Sequence, residues 1–426
     1  MHHFNRRNGE LYVEDVRVAD LARKHGTPLY IYSGQTIIDH YERLSEAFAP
    51  IDHMVCYALK ANGNLGILKM LAKRGCGFDL VSGGELFRVR KAGGPAKRCV
   101  FAGVGKTEAE IEQGLREGIY SFNVESEAEL EFINKVAGRM KKTAPIAIRV
   151  NPNVDSGVHA KTNTGTYENK FGIAFEKVEA LYAKAARLYN LRLVGVQMHI
   201  GSGLTSLRPF IATVKKMLPL VMRLKAAYNI EFFDIGGGVG IVYGHALESG
   251  PRKWWKKKHA PLTIAAYAAA LIPLLKDLGL KILLEPGRVI VGNAGVLVTE
   301  VLYVKKTGRK TFVIVDAGMN DLIRPTLYES YHEVVPVKQP GKQSRLVSTD
   351  LVGPVCESGD YFCKDRPLPP FKQGDLVALL STGAYGFAMA SNYNARPRPP
   401  EILVQGKRGV VARKRETMAD LIRGEV

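Results

Sequence analysis

The feature that most constrains the fold is an alternation that starts near residue 53 and runs to residue 285. Eight short β-type apolar runs are separated by segments of helical periodicity: HMVCYA at 53–58, FDLVS at 78–82, CVFAG at 99–103, SFNVE at 121–125, PIAIRV at 145–150, LVGVQMH at 193–199, FFDIG at 232–236 and KILLE at 281–285. Intervening stretches such as NLGILKMLAKRG and TEAEIEQGLREG are amphipathic and end near glycine, a common helix stop. Strand and helix in strict alternation specify a parallel sheet. Eight βα units are the number that closes a (β/α)8 TIM-type barrel, which carries its chemistry at the C-terminal ends of its strands.

The rest of the chain follows another rule. After Gly287 come VIVGNAGVLVTEVLYVKK, KTFVIVDAG and DLVALLSTGAYG, β-rich and without regular helices between them. A second, mostly β domain (a β-barrel or sandwich) is expected. The expected division is an α/β barrel at 34–287, with 1–33 and 288–426 forming the β-rich domain and RKRETMADLIRGEV making a short C-terminal helix. Two long loops interrupt the pattern. NPNVDSGVHAKTNTGTYENKFG, 151–172, has the polar, glycine-bearing composition of an active-site lid. PRKWWKKKH, 251–259, is a dense basic cluster that reads as a solvated surface loop.

At 426 residues the chain has room for two cores, and 46% hydrophobic with 24% charged residues is ordinary for a globular protein. A net charge of +19 raises the question of nucleic acid. Lysine and arginine are spread along the whole chain and not gathered into one stripe, so no nucleic-acid partner is expected. The five cysteines, Cys56, Cys76, Cys99, Cys356 and Cys363, form no CxxC pair, which points to reduced thiols in a cytoplasmic setting. The N-terminus has no apolar core of signal-peptide length, and the longest uncharged stretch, Val377 to Ala395, carries glycines and asparagines that suit strand and loop. No membrane partner is expected, and no metal cluster stands out.

Polar and glycine residues gather where the strands end. Lys60 follows the first run; Asp79 and Ser82 lie at the second; HIGSG, with His199 and Ser202, follows the sixth; IGGGVG follows the seventh and EPGR the eighth. Ile241 stands where a GxGxxG fingerprint needs its third glycine, so a dinucleotide site is disfavoured. GGGVG is either a phosphate cradle or a plain tight turn, and barrels often hold a phosphate after strands seven and eight. A phosphorylated ligand that also wants a lysine and a glutamate is pyridoxal 5'-phosphate. Its aldehyde takes a lysine amine, its phosphate takes backbone donors, and its pyridine nitrogen takes a partner that sets its electron demand. Glu285 would keep that nitrogen protonated, and His199 could lie flat on the ring.

Taken in order, YALKAN, FDLVSGGEL, NKFGI, HIGSG, DIGGG, EPGR, GPVCESGD and GAYG resemble the fold-type III pyridoxal-phosphate decarboxylases, over nearly the whole chain from TPLYIY to the RKRET tail. The resemblance implies a barrel with a β domain. It implies that Lys60 carries the cofactor, that Ser202, Gly238 and Gly240 with the EPGR backbone of Gly287 and Arg288 hold its phosphate, and that Asp79 and Tyr385 line it. It further implies a homodimer in which the CESGD segment of one subunit completes the other's site. Gly203 stands where HIGS is commonly followed by a larger polar residue.

Within that family the second half of the chain resembles the members that act on a substrate with an amino-acid head at each end. For those, Arg288, Arg324 and Tyr328 offer donors for a distal carboxylate and Glu357 an acceptor for the distal ammonium. The implied reaction is release of carbon dioxide from meso-2,6-diaminopimelate to give L-lysine, with Cys356 returning a proton to the carbanion. The alternatives are a related decarboxylase acting on ornithine, arginine or a carboxylated polyamine, a racemase on the same kind of barrel, a non-catalytic pyridoxal-phosphate carrier and a basic nucleic-acid binder.

Overall fold

The computed structural model describes residues 3–154, 169–249, 254, 261–341 and 345–426. It divides into two compact units, one formed by the described residues of His40–Ile241 and Pro261–Val289, the other by those of Met1–Asp39, Val242–Ala260 and Ile290–Val426.

The first unit is a closed parallel barrel. Its strands, in chain order, are His53–Ala58, Gly77–Leu80, Cys99–Phe101, Ser121–Val124, Ala144–Asn151, Leu191–Met198, Phe232–Asp234 and Lys281–Leu284. Each pairs with the next, and the eighth pairs with the first through Ile282↔His53, Leu283↔Met54 and Leu284↔Val55, which closes the ring. Every expected strand is present. Parallel strands covered by helices are buried on both faces, and for that reason they read as near-continuous apolar runs. Met54, Cys56, Val100, Ala147, Val194, Phe232 and Leu283 pack together as a core cluster of this unit.

The barrel's helices form where local chemistry and pattern agree. Glu108–Glu117 begins at a capping box, in which the Thr107 hydroxyl takes the N–H of Glu110 while the Glu110 carboxylate takes that of Thr107. It ends at Gly118, whose φ of 67° is left-handed.

The second unit is mostly β. Its main sheet runs in the order Tyr361–Leu368, Val347–Val352, Lys310–Val315, Gly295–Thr307, Leu29–Ser33, Glu401–Gln405, Arg408–Arg413. Leu376–Leu379 pairs with both Gly295–Thr307 and Val334–Pro336. Leu29 and Ile31, Val296 and Val298, and Ile402 and Val404 supply the middle of its core from three adjacent strands. The N-terminal residues add a small sheet of Phe4–Arg7, Glu10–Val13 and Val16–Arg17 and a helix at Val18–His25. Near the C-terminus Thr417 caps a short helix, Met418–Leu421.

One β-type stretch departs from expectation. The start of VIVGNAGVLV is a short helix, Arg288–Val291, followed by a 3-10 turn at Gly292–Ala294, and the strand begins only at Gly295. β-branched residues favour a pleated surface through what they pack against, and that preference is weak when no strand lies alongside. The basic cluster 251–259, apart from Trp254, and most of the lid segment 151–172 lie outside the described residues.

Candidate active site

Lys60 owes its position to a tight turn. Strand His53–Ala58 runs into a 3-10 turn, Leu59–Ala61, fixed by the Tyr57 hydroxyl on the carbonyl of Asn62 (2.9 Å) and by the side chain of Asn62 on the N–H of Asn64 (3.0 Å). Asn64 then caps helix Leu65–Ala72 by accepting the N–H of Gly66. The lysine reaches Asp79 of the second strand, Nζ to Oδ2, at 3.0 Å. Asp79 is wholly buried, and its Oδ1 has no hydrogen-bond partner. Ser82 is used as a helix cap, taking the N–H of Glu85.

The EPGR segment locks onto the same turn. The N–H of Ala58 donates to the carbonyl of Pro286 at 3.0 Å, and a Cβ on Gly287 would sit 3.0 Å from that of Ala61. Glu285, just past the eighth strand, is buried; its Oε2 accepts the amide of Gln197 at 3.0 Å and its Oε1 that of Asn123 at 3.4 Å. Burial, with the carboxyls of Asp234 and Asp79 nearby, pushes the Glu285 carboxyl well above the usual range, against the pull of Lys60. Asp234 is likewise pushed up, to about 7, chiefly by burial.

His199 follows the sixth strand, and its Nδ1 accepts the N–H of Gly237 at 3.2 Å, which places the ring proton on Nε2. Burial, then the charges of Arg149 and Lys60, hold its basicity well below the ordinary value. This histidine is a neutral imidazole. The glycine loop beside it needs glycine for close approach: a Cβ on Gly237 would lie 2.1 Å from the carbonyl oxygen of Glu285, and one on Gly238, whose φ is 106°, 2.4 Å from that of Gly201.

Two loops form one ledge here. Gly203 and Leu204 both donate to the carbonyl of Gly238 at 2.9 Å, and the N–H of Gly240 goes to the carbonyl of Leu204 at 2.8 Å. Gly240 therefore serves close packing and not donation to an anion. At the edge of the ledge Arg288, nearly buried, points its guanidinium at the hydroxyl of Ser202 (Nη2 to Oγ, 3.0 Å). A guanidinium, a hydroxyl and glycine backbone suit a phosphate, and the set fits pyridoxal phosphate: an amine for the aldehyde, a cradle for the phosphate, and a buried carboxyl for the ring nitrogen.

The second group lies in the β unit. Arg324 opens helix Arg324–Tyr328 and is buried. Its Nε donates to His332 Nε2 (3.3 Å) and its Nη2 to the hydroxyls of Tyr243 (3.2 Å) and Ser330 (3.1 Å), with the guanidinium 5.8 Å from the Tyr328 ring. His332 Nδ1 lies 2.9 Å from the carbonyl of Leu380, which can only accept, so Nδ1 carries the proton and Nε2 is free to receive from Arg324. The CESGD loop adjoins this helix through the hydroxyl of Thr326 on the carbonyl of Gly359 (2.6 Å). Asp360 shapes that loop from within, taking the N–H groups of Val355 (2.7 Å) and Met319 (2.6 Å). Cys356 and Glu357 stand exposed on it; all five cysteines are free thiols. Tyr385 holds a left-handed backbone, φ 57°.

Sequence reading missed Arg149, Asn123, Gln197 and Asp234, all buried at the strand ends. Arg149 pairs with Glu125 at 3.1 Å and lies 4.8 Å from the Phe171 ring, while Glu125 also takes the N–H of Gly172. These contacts seat the NKFGI motif at the rim. The available signal was a single polar residue near the end of an apolar run, as in FNV, IRV, VQM and FFD.

Comparison with known proteins agrees with this geometry. Residues 34–292 match the family model for the pyridoxal binding domain of pyridoxal-dependent decarboxylases. A diaminopimelate decarboxylase from Vibrio cholerae is 46% identical over 424 residues, covering 99% of this chain and 98% of its own. The crystal structure of diaminopimelate decarboxylase from Helicobacter pylori complexed with L-lysine is 41% identical with a TM-score of 0.88, over 95% of this chain and 98% of that one. The enzyme from M. jannaschii in co-complex with L-lysine superposes with a TM-score of 0.91 at 38% identity, over 100% and 99% of the two chains. Closed barrel, β unit, strand-end constellation and full-length similarity agree, and the chain belongs to the pyridoxal-dependent decarboxylases, in the branch of the diaminopimelate decarboxylases.

Proposed function

We propose that this chain releases carbon dioxide from meso-2,6-diaminopimelate and leaves L-lysine, the last step of lysine biosynthesis, with pyridoxal phosphate as cofactor. The observation that carries the reading is the strand-end set of Lys60, Asp79, His199 and Glu285 beside the Arg288–Ser202 pair, in a chain similar along its length to diaminopimelate decarboxylases. The L-lysine bound by two relatives is the expected product.

When bound, pyridoxal phosphate supplies an electrophilic aldehyde and a ring that accepts the electron pair left by the departing carboxylate. Lys60 would hold that aldehyde through its amine, which Asp79 orients. Arg288, Ser202, Gly238 and the EPGR backbone at Gly287 would hold the phosphate, with Gly240 letting the two loops close on each other. His199, neutral, would lie against the ring without adding a charge. Glu285, oriented by Gln197, would face the ring nitrogen and keep it protonated. Arg324 and Tyr328, with Arg288, hold the distal carboxylate, Glu357 the distal ammonium, and Tyr385 contacts cofactor and substrate. Cys356 Sγ returns a proton to the carbon that lost its carboxylate. No ornithine-type substrate has a distal carboxylate to match.

We further infer a cytoplasmic homodimer whose active sites are shared. Five free thiols fit a reducing compartment. Among the described residues no helix is long and apolar enough to cross a membrane. Borohydride reduction of the loaded protein followed by peptide mass spectrometry tests the assignment: the pyridoxyl mass is expected on Lys60 and absent from Lys60→Ala, and a label on another lysine contradicts it.

A further inference from the structure

The chemistry above gives Arg324 a task and none to the histidine that touches it. His332 is wholly buried and lies eight residues after Arg324, in the stretch RPTLYESYH. Helix Arg324–Tyr328 stops at Glu329, whose φ of 53° is left-handed and whose N–H returns to the carbonyl of Arg324. The chain then doubles back. Ser330 and His332 meet the Arg324 side chain from this returning segment.

The β core fixes the imidazole. Val334–Pro336 pairs antiparallel with Leu376–Leu379, and just past that ladder the N–H of Leu380 donates to the carbonyl of Glu333 at 2.9 Å. The carbonyl of the same Leu380 takes the N–H of His332 Nδ1 at 2.9 Å. Arg366, on the strand Tyr361–Leu368, donates to the backbone carbonyl of His332, and the Tyr243 ring stands at 88° to the imidazole, 5.4 Å between centroids. A ring pinned in this way presents Nε2 as an acceptor, 3.3 Å from Arg324 Nε. Nη2 of the same guanidinium donates to the hydroxyls of Tyr243 and Ser330. Imidazole, phenol and hydroxyl are neutral acceptors, so they set the direction of the guanidinium without cancelling its charge. A carboxylate in place of the imidazole would do both.

We propose that His332 is a positioning residue for the distal end of the substrate: with its proton on Nδ1 it takes Arg324 Nε on Nε2 and holds the guanidinium in the direction that receives a distal carboxylate. The inference rests on the reading of Arg324 as that carboxylate's partner. Forked recognition of a carboxylate depends on where the guanidinium plane points, and a long arginine side chain that loses an anchor spreads over several directions. The loss falls on binding of the distal head, at the other end of the substrate from the carbon that reacts. It therefore shows in KM and not in kcat.

The test compares two amides in the protein loaded with pyridoxal phosphate. His332→Asn keeps a donor for the Leu380 carbonyl and removes the acceptor at Nε2; His332→Gln puts an amide oxygen where Nε2 stood. His332→Asn is expected to raise KM for meso-diaminopimelate roughly 3- to 10-fold, the span that loss of one hydrogen bond gives, with kcat within about twofold. His332→Gln should bring KM back to within about twofold of wild type. A merely structural role would move both variants alike, so an unchanged KM in His332→Asn, or a His332→Gln no better than it, would overturn the proposal. No turnover of diaminopimelate, or an unchanged KM in Arg324→Met assayed alongside, would overturn the role toward substrate, and the fault would lie in the reading of Arg324, not in the bond that His332 makes. That bond is read without substrate by 15N NMR of histidine-labelled protein, the His332 signals being those that vanish in His332→Gln. A protonated Nδ1 with an unprotonated Nε2 is expected, and a proton on Nε2 would overturn the proposal. Should His332→Asn yield no folded protein, this spectrum decides alone.

Discussion

Adding one methyl group at Gly237 should damage both rate and stability, and the size of the effect follows from the packing of two strand ends. A Cβ there would stand 2.1 Å from the carbonyl oxygen and 2.9 Å from the carbonyl carbon of Glu285. The obstacle is backbone, so no side-chain rotation relieves it. Reaching even 3.0 Å requires 0.9 Å of movement in one chain or the other. The chain that moves carries either Glu285 or the N–H that Gly237 gives His199. A misplacement of about 1 Å costs on the order of 10²-fold in rate. Overpacking a site of this kind costs about 1–3 kcal/mol. At ~2–4 °C per kcal/mol for a unit of this size, Tm should fall by roughly 2–12 °C. Gly105→Ala is the control, since nothing lies within 4 Å of its Cβ. Steady-state kcat and a thermal melt of both variants measure the outcome. Gly237→Ala with wild-type kcat and Tm would refute the argument that this loop is glycine because of close approach.

Other outcomes follow from the same geometry. Arg324→Met should raise KM for diaminopimelate roughly 10- to 100-fold, the equivalent of a charge-assisted hydrogen bond worth about 1.5–3 kcal/mol, and weaken selectivity against ornithine; an unchanged KM makes the residue structural. Lys60→Ala and Cys356→Ala subunits, each inactive, should on random reassociation recover about a quarter of wild-type activity if sites are shared across a two-fold axis, and nothing if each subunit serves itself. His199 should make the apoprotein less stable in acid. Its folded pKa lies below the ordinary 6.5, so the unfolded chain binds the proton first and stability falls as pH drops through 6.5. Glu285, with its raised pKa, works the other way: it adds stability at low pH that is lost as pH rises above 4.5. The difference in urea-unfolding free energy between wild type and His199→Gln should therefore change by up to about 1.4 kcal/mol per pH unit below pH 6.5, and a flat difference would mean that the ring is protonated in the fold.

The barrel was legible because its strands are buried on both faces, so that HMVCYA or KILLE shows as a short apolar run between helical periods. Lys60, Asp79, His199 and Glu285 were legible for a related reason: a barrel gathers strand ends at one rim, and several ionisable residues at the ends of apolar runs have few structural explanations in common. Less could be read where pairing decides conformation. Val289–Val291 reads as strand, yet it turns as a helix, and the strand that finds partners begins only at Gly295. The buried polar residues were hidden by their settings. Asn123, Arg149, Gln197 and Asp234 sit singly inside apolar strands, and only the closed ring brings Gln197 to Glu285 or Arg149 to Glu125. The tautomer of His332 and the bond it takes from Arg324 depend on a carbonyl 48 residues away, which no local pattern encodes.

The barrel's proposed reaction removes a carboxylate from a substrate with an amino-acid head at each end. Purified protein loaded with pyridoxal phosphate, incubated separately with meso-diaminopimelate, ornithine and arginine, and assayed for released carbon dioxide tests it most directly. Carbon dioxide, with L-lysine in equal amount, is expected from diaminopimelate alone. Release from ornithine or arginine and none from diaminopimelate would contradict it.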